Sequence, residues 1–163
     1  MTGARNVRGG LLLLALGLLA GLGMSLYAFK PMVPVPESLA RYDDLPRRLF
    51  RLAHIAAVML PLINIVLGGW LDRLFLPARA KQGVSWLLLL GGIGLPATLS
   101  AEGLFPTLIP LHLSAIPAIA FAGGVVLAAA GAFRMTFPEE VAHDVRGEGV
   151  RDRASALQES RRA

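Results

Sequence analysis

Charged residues come in bursts along this chain, and four long stretches between them carry none: residues 9–29, 52–71, 82–101 and 103–133. A helix crossing a hydrocarbon core of roughly 30 Å needs about 20 apolar residues, so each stretch accommodates one span. The fourth is longer than one span requires, and Gly103, Pro106 and Pro110 predict that its first residues turn. The pattern predicts an all-α fold, an integral membrane four-helix bundle with transmembrane helices at 9–29, 47–70, 84–101 and 107–133.

A soluble fold would need each helix to show a wet face, and these stretches have none. A helix that is apolar all round lies in lipid or in a large core, and this chain is too short for the latter. Runs such as Leu11 to Leu14 and Leu87 to Leu90 lack the period-two alternation of a membrane β-barrel strand. The domain division follows: 1–133 is a four-helix transmembrane domain, and 134–163 is a charged, flexible cytoplasmic tail with few large apolar residues.

Punctuation refines the boundaries. Arg5 and Arg8 precede the first run like the start of a signal peptide, but the run exceeds the usual 7–15 residues and no clean cleavage site follows. An uncleaved signal anchor is expected. Gly17 and Gly21 form a G-x-x-x-G pair suited to close helix approach. Pro31, Pro34 and Pro36 keep the next segment extended, and Pro36-Glu37-Ser38 starts a short turn that rests at the interface through Leu39 and Tyr42. Asp43-Asp44 followed by Leu45-Pro46 reads as a carboxylate cap and a first-turn proline, and Pro61 is placed to kink the second helix.

Positive charge sets the orientation. Arg5, Arg8, Arg73, Arg79, Lys81 and the basic residues of the tail fall on one side, against Lys30, Arg41, Arg47, Arg48 and Arg51 on the other. The positive-inside rule then puts both termini in the cytoplasm of a cell whose inner membrane holds the protein. The sequence pI of about 10.7 reflects this collection of Lys and Arg at helix ends, so no nucleic-acid partner is inferred. The lipid bilayer and other membrane subunits are the expected partners.

Candidate chemistry is sparse. There is no cysteine, which removes disulfides, thiolate metal sites and covalent haem attachment. Apart from Arg47, Arg48 and Arg51 at the start of the second helix, the spans contain no Asp, Glu, Lys or Arg, which argues against an ion-coupled transporter. No Walker loop, G-x-S-x-G or H-E-x-x-H occurs, so no self-contained catalytic motif is visible. His54 and His112 remain, each a few residues inside a helix that starts from the same face of the membrane, at matched depth. Two imidazoles so placed are candidate axial ligands of haem b, and Arg47 and Arg51, on the His54 face of the second helix, are candidate propionate partners. Ala115 and Gly123 share the His112 face, and Ile119 interrupts it. A quinone pocket on the same residues is the related alternative. Asn64, near mid-membrane, is expected to bond a neighbouring helix or a carbonyl that Pro61 frees. His143 lies in the charged tail and titrates in water.

The function expected first is that of a small structural or accessory subunit of a larger membrane complex. The alternative is a di-His haem b or quinone-binding subunit in electron transfer at the outer face. The charge asymmetry makes a direct prediction. A reporter active only outside the cytoplasm gives signal when fused after Pro36 or Gly103 and none after Ala163; signal at Ala163 would overturn the orientation.

Overall fold

In the computed structural model, which describes residues 2–28 and 32–134, four helices are long and apolar enough to cross a membrane. They are α1 (Thr2–Ala28), α2 (Leu45–Leu71), α3 (Ala78–Leu104) and α4 (Ala115–Phe133), with 3₁₀ turns at Glu37–Leu39 and Pro106–Leu111. Among the described residues there is no strand. The tail predicted at 134–163 lies outside them, apart from Arg134.

Each helix packs antiparallel on the next, and α3 also touches α1. The start of α1, the α2–α3 loop and the end of α4 share one face of the bundle, here the N-terminal face. The opposite face carries the segment between α1 and α2 and the turn before α4.

Contact between α1 and α2 runs through glycines. Gly3 lies against the Gly68 carbonyl, Gly10 against the Pro61 carbonyl, Gly17 against the Ala57 carbonyl and Gly21 against the His54 ring. A Cβ at any of the four would overlap its neighbour, whereas Gly23 faces open space. Lipid tails are as apolar as leucine, so no hydrophobic drive pulls membrane helices together, and close backbone approach supplies the attraction instead. The Gly17/Gly21 expectation is met, and the stripe extends to Gly10 and Gly3. Gly91 and Gly124 do the same between α3 and α4, against Phe121 and Leu88.

A buried polar network pins α1, α2 and α3 near the N-terminal face. Asn6 and Asn64 are fully buried. Asn6 Nδ2 donates to Asn64 Oδ1 at 3.0 Å, and Asn64 Nδ2 donates to the Leu88 carbonyl at 3.1 Å and to Leu60 O at 3.2 Å. Ser85 Oγ donates to Asn6 Oδ1 and accepts from Arg5 Nη2 at 2.8 Å. The Arg5 guanidinium also stacks on Trp86, 4.3 Å from its centroid. Asn64 thus bonds neighbouring helices, as expected, but not the carbonyl that Pro61 frees, which belongs to Ala57.

The ends of the helices correct several boundaries. Helix α1 starts seven residues before its apolar run, because the Asp72 carboxylate accepts the Thr2 and Gly3 N–H groups that a helix start leaves unpaired. Helix α3 spans 78–104 rather than 84–101 and takes in Glu102, which is only 3% exposed. Glu102 Oε1 accepts the Ser114 N–H at 3.0 Å, so this carboxylate holds the start of α4. Helix α4 begins at Ala115 instead of residue 107, since Pro106 and Pro110 make the preceding segment 3₁₀. Asp44 and Pro46 do mark the start of α2, although the Asp44 side chain makes no capping bond. Leu39 is buried rather than resting at the headgroups, and Ser38 Oγ ties its turn to the Leu104 carbonyl at 3.2 Å.

The network predicts coupling between α1 and α2. A double-mutant cycle of Asn6→Ala and Asn64→Ala, read by unfolding in mixed micelles, should give an interaction energy of about 1 kcal/mol. Strict additivity would show that the bond contributes nothing.

Candidate functional site

Two features stand inside the span outside this network: the imidazole of His54 and a cleft beside it. His54 projects from α2 against α1, and a Cβ on Gly21 would come within 2.6 Å of its Cε1. Its Nδ1 is buried with no hydrogen-bond partner. A buried polar atom left unpaired in an apolar seam is costly and calls for an explanation. The ring keeps its place because Gly21 offers a notch with no side chain.

The cleft lies next along the same seam. Leu13, Leu16, Gly17, Ala20, Ala57, Pro61, Gly92, Ile93 and Pro96 enclose about 170 Å³ between α1, α2 and α3. Its walls are apolar, and Ile93 and Leu16 are half exposed on the outer surface, so it opens sideways to lipid. A volume of about 150 Å³ between apolar side chains is enough to take up benzene. Ala57 follows His54 by three residues, about one helical turn, so the imidazole stands just beyond one end of the cleft. Asn64 stands at the other, its Nδ2 2.8 Å from where a Gly92 Cβ would be. Both Asn64 Nδ2 bonds and its Oδ1 bond are already committed to the helix network. A larger hollow of about 450 Å³ lies on the N-terminal face, lined by Leu74, Phe75, Leu76, Pro77, Lys81 and Arg134; Lys81 Nζ is held there by the Asp72 carbonyl at 2.6 Å.

The expected pairing of His54 with His112 is not what the helices produce. His54 sits between α1 and α2. His112 is exposed in the turn that precedes α4, with a left-handed backbone (φ 47°), and α4 packs chiefly on α3. His112 ends a 3₁₀ segment and does not lie inside α4, so it has no helical depth to match that of His54. His54 thus lies in the α1–α2 seam, whereas His112 lies in an exposed turn. Arg47 and Arg51 are also engaged elsewhere. Both guanidiniums lie over the Tyr42 ring, at 5.2 and 4.7 Å, and Arg47 Nη1 donates to the Leu39 carbonyl at 3.2 Å. They strap the α1–α2 connection onto the start of α2. Among the described residues no cluster of three His, Cys, Asp or Glu side chains forms a metal site.

Sequence reasoning missed the cleft, the Arg5–Asn6–Ser85 part of the network and the capping role of Glu102. Charges as helix boundaries leave Arg5, Asn6 and Glu102 outside the expected spans, although all three lie inside helices. The seven-residue spacing of Gly3, Gly10 and Gly17 was the available signal that α1 starts early.

The fold and this site define a small polytopic helical membrane protein with an apolar, lipid-facing cleft beside a histidine. A family model described as styrene oxide isomerase matches residues 3–137, which takes in all four helices, and the chain belongs to that family. No curated protein and no solved structure matches it.

The notch at Gly21 can be tested directly. Gly21→Ala should cost about 1–3 kcal/mol of stability, because the added methyl must displace a ring or a helix. Gly23→Ala should stay within about 0.5 kcal/mol. Equal effects in mixed-micelle unfolding would show that His54 does not fill the seam.

Proposed function

We propose that this protein is a membrane-embedded isomerase that takes an aryl epoxide of the styrene oxide type from the bilayer and converts it to the isomeric aldehyde. Membership of the styrene oxide isomerase family across all four helices is the observation that carries this reading. The cleft supports it, being apolar, sized for a single aromatic ring and open to the phase in which such an epoxide concentrates.

The reaction needs little machinery, which suits a chain without a catalytic triad or carboxylate pair. The epoxide C–O bond at the benzylic carbon breaks as an electrophile draws on the ring oxygen. Positive charge develops on the benzylic carbon, where the arene delocalises it. A hydride then moves from the oxygen-bearing CH₂ carbon to the benzylic carbon, the C=O bond forms, and the electrophile is returned. No atom is gained or lost, and no external oxidant, reductant or water is consumed.

His54 is the residue we assign to the electrophilic step, since it is the imidazole at the end of the cleft. Its N–H donates to the epoxide oxygen and takes the proton back when the carbonyl forms. The small walls hold the arene and exclude water, which would otherwise trap the cation as a diol.

The purified protein in detergent should convert styrene oxide to phenylacetaldehyde, followed by gas chromatography. His54→Ala should lower kcat about 100-fold or more, the range for loss of a positioned acid. A wild-type protein with no turnover would overturn the reading in favour of an accessory subunit. The unpaired Nδ1 of His54 favours one second reading, an electron-transfer subunit that holds haem b or a quinone at this residue. The reduced-minus-oxidised spectrum of the same preparation tests the haem form: a b-type band lost in His54→Ala supports it, and a colourless protein overturns it.

A further inference from the structure

The hollow on the N-terminal face lies where the α2–α3 loop meets the end of α4. The Phe75 N–H donates to the Gly131 carbonyl at 3.3 Å, and the Leu76 side chain packs on Gly131, where a Cβ would overlap it. Leu74, Phe75, Leu76 and Pro77 give the hollow an apolar wall, and Lys81 and Arg134 complete its lining. Its volume of about 450 Å³ falls in the range of small-ligand sites. Both cations have donors to spare. Lys81 Nζ donates to the Asp72 carbonyl at 2.6 Å, and an ammonium carries further N–H groups beyond that one. Among the described residues Arg134 has no side-chain hydrogen bond or ion pair.

The charge around the hollow has one sign. Arg5, Arg8, Arg73 and Arg79 share this face with Lys81 and Arg134. Among the described residues only Asp72 opposes them, and its carboxylate is taken up by the Thr2 and Gly3 N–H groups. The hollow also sits at the level of a membrane surface. Trp70, at the end of α2, is half exposed with the Arg73 guanidinium 5.7 Å from its ring, the arrangement of an interfacial anchor. Beside it Phe75 and Phe133 are 72% and 92% exposed, so large rings face outward next to the cations.

We propose that this hollow binds the headgroup of an anionic phospholipid, its phosphate held by Lys81 and Arg134 and its acyl chains lying over Phe75 and Phe133. The inference is independent of the isomerase reading. Lysine serves a phosphate as a point charge and arginine through its planar fork. A soluble anion would engage the two cations and leave the apolar wall and the outward rings without a partner, whereas a lipid engages both. A choline headgroup carries the same phosphate but brings a cation of its own, which the basic residues of this face oppose. Because the hollow is shared by the loop and the end of α4, its occupant ties α4, which packs chiefly on α3, to the α2–α3 loop as well.

Thermal unfolding of the full chain tests this in mixed micelles that contain dioleoyl phosphatidylglycerol or dioleoyl phosphatidylcholine at equal mole fraction. Phosphatidylglycerol should raise the midpoint about 3 °C or more above phosphatidylcholine. Lys81→Gln/Arg134→Gln should remove most of that difference and weaken retention of phosphatidylglycerol in native mass spectrometry about tenfold or more. Each variant is compared with itself in the two lipids, so its own change in stability cancels. Lys81→Arg/Arg134→Lys keeps both charges and should keep the difference. Arg73→Gln/Arg79→Gln removes as many charges from the same face outside the hollow and should keep most of it. Arg134→Gln alone, at an exposed position after α4, covers a double variant that fails to fold and should weaken retention about fivefold. Equal wild-type midpoints in the two lipids would overturn the proposal. So would a preference that Lys81→Gln/Arg134→Gln leaves intact, which marks a diffuse attraction of the basic face. Millimolar inorganic phosphate giving the same rise in phosphatidylcholine micelles would overturn it too, with a free anion as the occupant.

Discussion

The approach of α1 to α2 is the constraint on which the rest of the structure depends. Four glycines let the two backbones come close enough that α1 meets the carbonyls of Gly68, Pro61 and Ala57 and the ring of His54 directly. In lipid this contact has no hydrophobic competitor to overcome and none to help it, so closeness itself supplies the attraction. The seam orients His54, seats the Ala57 carbonyl against Gly17, and brings Asn6 level with Asn64. Side chains larger than glycine at these points would part the helices and remove all three features together.

The polar groups fall into two sets with different duties. Asn6, Asn64, Ser85 and Arg5 satisfy one another and lock three helices in register near the N-terminal face. Asp72 and Glu102 serve the helix starts of α1 and α4, each giving a carboxylate to N–H groups that would otherwise be bare. His54 belongs to neither set. It is held by shape alone, with one buried nitrogen unpaired, and it stands where the packed seam gives way to a space the size of a small ring.

The prolines shape the cleft, since Pro61 and Pro96 both line it. Pro61 and Pro96 both lie within helices that continue through them, so neither ends an element. Each gives up a backbone bond in the membrane, a cost that neighbouring groups often recover. Asn64 does not recover either one, because its Nδ2 donates to the Leu60 and Leu88 carbonyls.

The sequence by itself determined the number of spans, the all-helical class and the apolar character of the protein, because length without charge is all that lipid demands of a helix. It also placed Asn64 in an interhelical role and marked Gly17 and Gly21 as a packing pair, both local properties of single residues. The start of α1 was hidden, because it depends on Asp72, which is 70 residues away from Thr2 along the chain. Glu102 looked like a turn residue until α4 supplied an N–H for it to hold. The expected partnership of His54 with His112 rested on equal depth, a one-dimensional quantity. Which seam a side chain enters is set by helix order and by the 3₁₀ segment at 106–111, and these put the two imidazoles in different places. The cleft was beyond sequence reading for the same reason: its walls come from three helices, and only their packing decides that small residues on each leave one common space.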